Sequence, residues 1–258
     1  MTQRPAFRAL ARTGLVARAV IYLLIGWIAV LVAVGHTARK PNQEGALQLL
    51  AAKPYGGISL WLLGIGFAGY ALWRLSEAVF GVTGEGNGAG PRAKSLARAV
   101  VYAFLCYLTF QVIAHAAGNE TRQQQDLTAS VMRHPGGQWL VAIIGLVVVA
   151  AGVMLIVQGV RRTFMKYLIT SQMSGSVRRA VQRLGQIGVT ARGVVFAIVG
   201  ALLVDAAITF KASKSGGLDK ALLTLRGEPF GDFLLLLAAV GLVIFGVYGL
   251  AEARWRKV

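Results

Sequence analysis

Cysteine occurs once in this sequence, at Cys106, so no intramolecular disulfide and no cysteine-based metal cluster can form within the chain. Histidine is almost as scarce: His36, His115 and His134 are the full set, and none stands at close metal-ligand spacing from another. Acidic residues number 10 against 27 Lys and Arg, and most stand singly. There is no His-Glu-x-x-His, no Gly-x-Ser-x-Gly and no acidic cluster suited to metal-dependent phosphate chemistry. These absences argue against an enzyme. No catalytic residue, cofactor or metal site is expected. Charged residues of either sign make up only 14% of the chain, against about 25% in a soluble domain.

Apolar residues fill the space left by charge. They make up 56% of the chain, and mean hydropathy is positive. Six apolar stretches, near 15–35, 57–80, 96–117, 138–160, 186–209 and 231–253, are each long enough to cross about 30 Å of hydrocarbon as a helix. No soluble domain of ordinary size fits beside them. The first stretch is too long for a signal-peptide core of about 7–15 residues and reads as a retained anchor. The net charge of +17 is a topology signal, and nucleic acid is not an expected partner. Eighteen of the 27 basic residues fall in the N-terminal segment, the two links between repeats, the adjoining helix ends and the C-terminal segment. By the positive-inside rule both termini are then cytoplasmic.

The chain repeats itself three times. An Arg opens an apolar run at Arg18, Arg98 and Arg192. A Pro follows 36 or 37 residues later, at Pro54, Pro135 and Pro229, and a polar residue 23 beyond each, at Glu77, Gln158 and Glu252. The units span 10–82, 92–165 and 183–258 of a single membrane domain. Each holds two apolar stretches, so all three share one orientation, and a pseudo-threefold ring of parallel hairpins is the expected all-α arrangement. The openings run Ala17-Arg18-Ala19-Val20-Ile21-Tyr22, Ala97-Arg98-Ala99-Val100-Val101-Tyr102 and Ala191-Arg192-Gly193-Val194-Val195-Phe196. Arg and aromatic are four apart, on one helix face. Between the two stretches of each unit an amphipathic segment predicts a short helix capping the outer face, with Glu44, Asp126 or Asp219 near its N-terminus. The glycine-rich second stretches predict close helix packing.

Two polar sets stand out. In antiparallel hairpins the inner ends of the two helices are neighbours, which predicts the ion pairs Arg18–Glu77 and Arg192–Glu252 and leaves Arg98 beside the neutral Gln158, to borrow Glu77 or Glu252 from a neighbouring repeat or to reach water. Such pairs lock hairpins together; the sharper reading is that the Arg residues converge on the axis and bind an anion or a lipid headgroup. The second set lies in the outer half: Gln111, His115 and Asp205, where an Asp–His pair would relay protons or hold a cation and a simple inter-helix hydrogen bond is the plainer alternative. Residues 161–183 carry six Lys and Arg with no acid, and are expected to lie on anionic lipid or to dock an acidic protein partner.

The repeated Ala-Arg opening, and Pro-Tyr/Phe-Gly followed by Gly66-Phe67-Ala68-Gly69-Tyr70-Ala71-Leu72-Trp73-Arg74, resemble the bacterial membrane family called domain of unknown function 1206. That resemblance covers nearly the whole chain and implies three repeats of a two-helix unit; it brings no activity and no catalytic residues. The middle copy departs most, with Pro135-Gly136-Gly137, no Tyr-Ala-Leu-Trp run and Gln158. The expected function is to bind or pass a small solute, ion or lipid through the bundle. The alternative is a structural or accessory subunit of a larger membrane complex.

Overall fold

A computed structural model describes residues 5–37, 39–81, 88–114, 120–134 and 136–257. Six long helices carry the architecture: α1 (Pro5–Ala33), α3 (Gly56–Phe80), α4 (Ala89–Ile113), α6 (Gly137–Val160), α7 (Gly175–Ile208) and α9 (Gly231–Trp255). All six are long and apolar enough to cross a membrane. The molecule is a multi-pass membrane protein of three repeated units. The short helices α2 (Gln43–Ala51), α5 (Glu120–Met132) and α8 (Leu218–Gly227) sit between the long helices of each repeat, at what we term the cap end. Asn42 opens α2 by accepting from the Gly45 N–H at 2.9 Å. Glu44 and Asp219 occupy first turns as expected, whereas Asp126 falls mid-helix because α5 starts earlier, at Glu120.

The repeats interlock cyclically. The second helix of each repeat packs along the first helix of the next: α3 on α4, α6 on α7, and α9 back on α1. This gives three equivalent seams between repeats. Glycine permits the close approach. A Cβ added at Gly152 would lie 2.5 Å from the Ala197 nitrogen, and one at Gly200 would lie 2.5 Å from the Val149 nitrogen. With no hydrophobic force between apolar helices in lipid, such backbone proximity is what holds a seam. Within repeats the packing is unequal. α1 meets α3 and α7 meets α9, but α4 and α6 make almost no contact.

One apolar cluster fills the bundle. It includes Ile21, Ile25 and Ile28 of α1, Leu105, Leu108 and Val112 of α4, Val195 of α7, and residues of α3 and α9. Residues 161–183 keep their six basic side chains exposed while apolar residues among them anchor the segment to the bundle. Two 3-10 turns, Thr163–Tyr167 and Thr170–Gln172, fold against the end of α9. The Ile169 N–H donates to the Trp255 carbonyl at 2.7 Å, and the Lys257 N–H to the Tyr167 carbonyl at 2.9 Å. Phe164 is buried against Tyr248, edge to face at 5.3 Å. Residues from Gly175 onward already belong to α7, with Arg178, Arg179 and Arg183 exposed.

Candidate functional site: an arginine cluster with two carboxylates

The cyclic interlock decides which charges meet. Arg18 donates to Glu252 across the α1–α9 seam, and Arg256 donates to the other oxygen of the same carboxylate. Glu77 is held by Arg74, one turn before it, at 2.6 Å, and by the Ser95 hydroxyl of α4 at 3.2 Å. Arg74 also donates to the Tyr70 hydroxyl from Nε at 3.1 Å and from Nη2 at 2.8 Å. The expected pairs Arg18–Glu77 and Arg192–Glu252 therefore do not form. The reason is geometric: a first helix meets the polar end of the second helix from the neighbouring repeat, and meets its own second helix near mid-length, at Gly66 for Ala17 and at Gly241 for Ala191.

The break in the pattern moves accordingly. Gln158 holds, in the α6–α7 seam, the place that Glu252 holds in α9–α1: Gly159 beside it lies against Thr190, as Gly249 lies against Ala19. Arg192, and not Arg98, is thus the cation whose partner has become neutral. Arg192 is enclosed by rings instead, its guanidinium carbon 4.9 Å from the Phe196 centroid, 4.9 Å from Phe245 and 5.3 Å from Tyr22. Its buried Nε has no hydrogen-bond partner among the described residues. The Arg–aromatic spacing of four predicts the Phe196 contact, whereas Tyr22 serves Arg192 across the bundle and Arg18 lies over Phe245 at 5.6 Å.

Arg98 makes no hydrogen bond or ion pair among the described residues. It lies in the field of Arg74, Arg192 and Arg18, yet its side chain remains accessible. Arg256, just past the end of α9, completes the set. Burial and the like charges of Arg74, Arg18 and Arg98 push its pKa down to about 10, opposed by Tyr70. Five arginines therefore gather at one end of the bundle around two carboxylates, and two of them, Arg98 and Arg192, have none. We term this the basic end. Arg74, Arg256 and Tyr70 escaped the sequence reading, although Arg74 at three before Glu77 and Arg256 at four after Glu252 sit at helical ion-pair spacing.

Of the outer polar set, Gln111 and Asp205 do not meet each other. Gln111 bonds to Tyr107 on its own helix, and Asp205 pairs with Lys214 at 2.9 Å with its side chain about half exposed. His115 lies outside the described residues. Among the described residues no group of three His, Cys, Asp or Glu is placed to hold a metal ion.

The family described as Domain of Unknown Function (DUF1206) matches three times, over residues 13–81, 93–162 and 187–256. The chain belongs to this family. Each DUF1206 match holds one Arg-opened helix, its cap and one second helix, the unit that repeats in the structure. A DUF1206-length relative, the uncharacterized protein YxxB of Bacillus subtilis (strain 168), is 30% identical over 99% of this chain and 93% of its own. No solved structure matches the chain.

Proposed function

We propose that this protein binds an anion at its basic end, in a cell membrane with that end facing the cytoplasm. The observation that carries the reading is the charge imbalance of the cluster: five arginines, two carboxylates, and two buried guanidinium nitrogens, the Nε atoms of Arg18 and Arg192, without an acceptor among the described residues. A cation withdrawn from water needs a counter-charge, and a missing one is what a ligand supplies. The apolar cluster between the basic end and the caps favours holding the anion over passing it through the axis. Orientation rests on the two-to-one excess of basic residues on the basic side. The test is a thermal-shift titration of purified protein with inorganic phosphate. Phosphate raises Tm in the native protein and does so at least about tenfold more weakly in Arg98→Gln/Arg192→Gln. An equal shift in both proteins refutes the reading.

A second reading, an accessory subunit of a membrane complex, draws on α6. Only 17% of its most apolar stretch is buried, against 61% in α1. Purification in mild detergent with a stoichiometric protein partner that leaves on substitution of exposed α6 residues would favour it.

A further inference from the structure

The open α4–α6 seam has a cause in the sequence. In the first and third repeats the seam is closed by two contacts. Four residues before the Arg stands a glycine, Gly14 or Gly188, against which lies the aromatic found sixteen residues after the Pro, Tyr70 or Phe245. The Ala before the Arg, Ala17 or Ala191, meets the glycine twelve residues after the Pro, Gly66 or Gly241. The middle repeat breaks both contacts. Its residues at the first are Lys94 and Ala151, and at the second Ala97 and Val147. A long cation replaces the glycine, and the aromatic that would fill the space is gone. A β-branched side chain replaces the second glycine, so the close Ala-on-Gly approach of the sister repeats has no counterpart here. Lys94 and Ala97 are exposed, and Val147 is 62% exposed.

Lys94 and Arg98 are four apart, so they share the helix face that in the sister repeats closes the seam. Neither has a hydrogen-bond or ion-pair partner among the described residues. The opening therefore has apolar walls along its length and two unpaired cations at its basic end. We infer that it holds an anionic phospholipid, with an acyl chain between α4 and α6 and the headgroup phosphate on Lys94 and Arg98, reaching toward Arg192. The inference rests on the anion-binding reading above and specifies the ligand. Charge complementarity selects a lipid with a negative headgroup. The apolar seam selects a ligand with a chain over a free anion, and a helix of a partner protein would bring no phosphate to the two cations.

The experiment uses the full chain in nanodiscs containing phosphatidylglycerol with a photoreactive acyl chain, and maps cross-links by mass spectrometry. Cross-links are expected to concentrate on α4 and α6. They fall at least about tenfold in Lys94→Gly/Val147→Gly/Ala151→Phe, which gives the middle repeat its sisters' contacts and keeps every Arg of the cluster. A single cooperative thermal transition shows that this variant folds. Should it fail to fold, Lys94→Glu serves in its place and lowers cross-linking by the same measure. Cross-links spread evenly over the outer helices, or unchanged in both variants, overturn the lipid inference while the phosphate shift leaves the anion reading standing. A phosphate shift that survives Arg98→Gln/Arg192→Gln overturns the anion reading itself.

Discussion

Glu252 and Gln158 are the same position of the repeat with opposite consequences. Glu252 neutralises Arg18 and Arg256 from one carboxylate. Removing its charge leaves a buried Arg18 without a partner, and breaking such a pair costs about 3–5 kcal/mol. Glu252→Gln should therefore lower Tm sharply in detergent, while Arg192→Gln, which removes a cation that has no carboxylate, should be close to neutral or raise Tm. Equal losses in the two variants would show that charge pairing is not what separates them. At this scale the sequence was partly legible. It pointed to all three Arg positions and to Gln158 as the exception. It did not show which helix each Arg would meet, because a repeat written along the chain gives no sign of whether its two halves pair with each other or with a neighbour. Gln111 and Asp205 of the outer set show the same limit. Gln111 and Asp205 are equivalent in the repeat, but each is satisfied close by, at Tyr107 and Lys214, so equivalence did not bring them together.

Among the elements, α6 and α7 form the seam most dependent on glycine. Gly145, Gly152 and Gly159 on α6 recur every seven residues, and Gly193 and Gly200 answer them on α7. The neighbours of an added side chain here are backbone atoms, which cannot turn aside. Gly152→Val should cost more than the about 1–3 kcal/mol usual for overpacking and reduce folded yield, whereas Gly57→Ala, with open space around it, should change stability by no more than about 0.5 kcal/mol. Comparable thermal melts for both would remove the packing argument. The link between α6 and α7 joins this account through Phe164, which is buried against Gly185 and Tyr248. Phe164→Ala should lower stability by about 3–5 kcal/mol, read from chemical denaturation, and loosen the C-terminal end of α9. The basic composition of residues 161–183 drew attention to their surface; the few apolar residues among them decide where they go.

Across the whole molecule the six spans and their triplication follow from apolar length and spacing, which survive any rearrangement of neighbours. The ring order does not follow from them. It depends on which faces carry glycine opposite small or aromatic residues, and that matching becomes visible only when the seams are compared. The comparison turns a regular threefold into a directed object: two closed seams within repeats, one open seam, and the charge deficit placed beside it. An ancestral hairpin repeated three times would give a symmetric, self-neutralising ring. Here the middle copy carries Gln158 where its sisters carry a carboxylate, and Lys94, Val147 and Ala151 where its sisters carry the closing contacts.

The central claim is that Gln158 leaves Arg192 without its counter-charge and thereby makes the basic end an anion site. Gln158→Glu tests it most directly, by Tm with and without inorganic phosphate. The account predicts a higher Tm without phosphate, together with a phosphate response at least about tenfold weaker, because the protein would then supply its own anion. An unchanged or lower Tm with the phosphate response intact would contradict it.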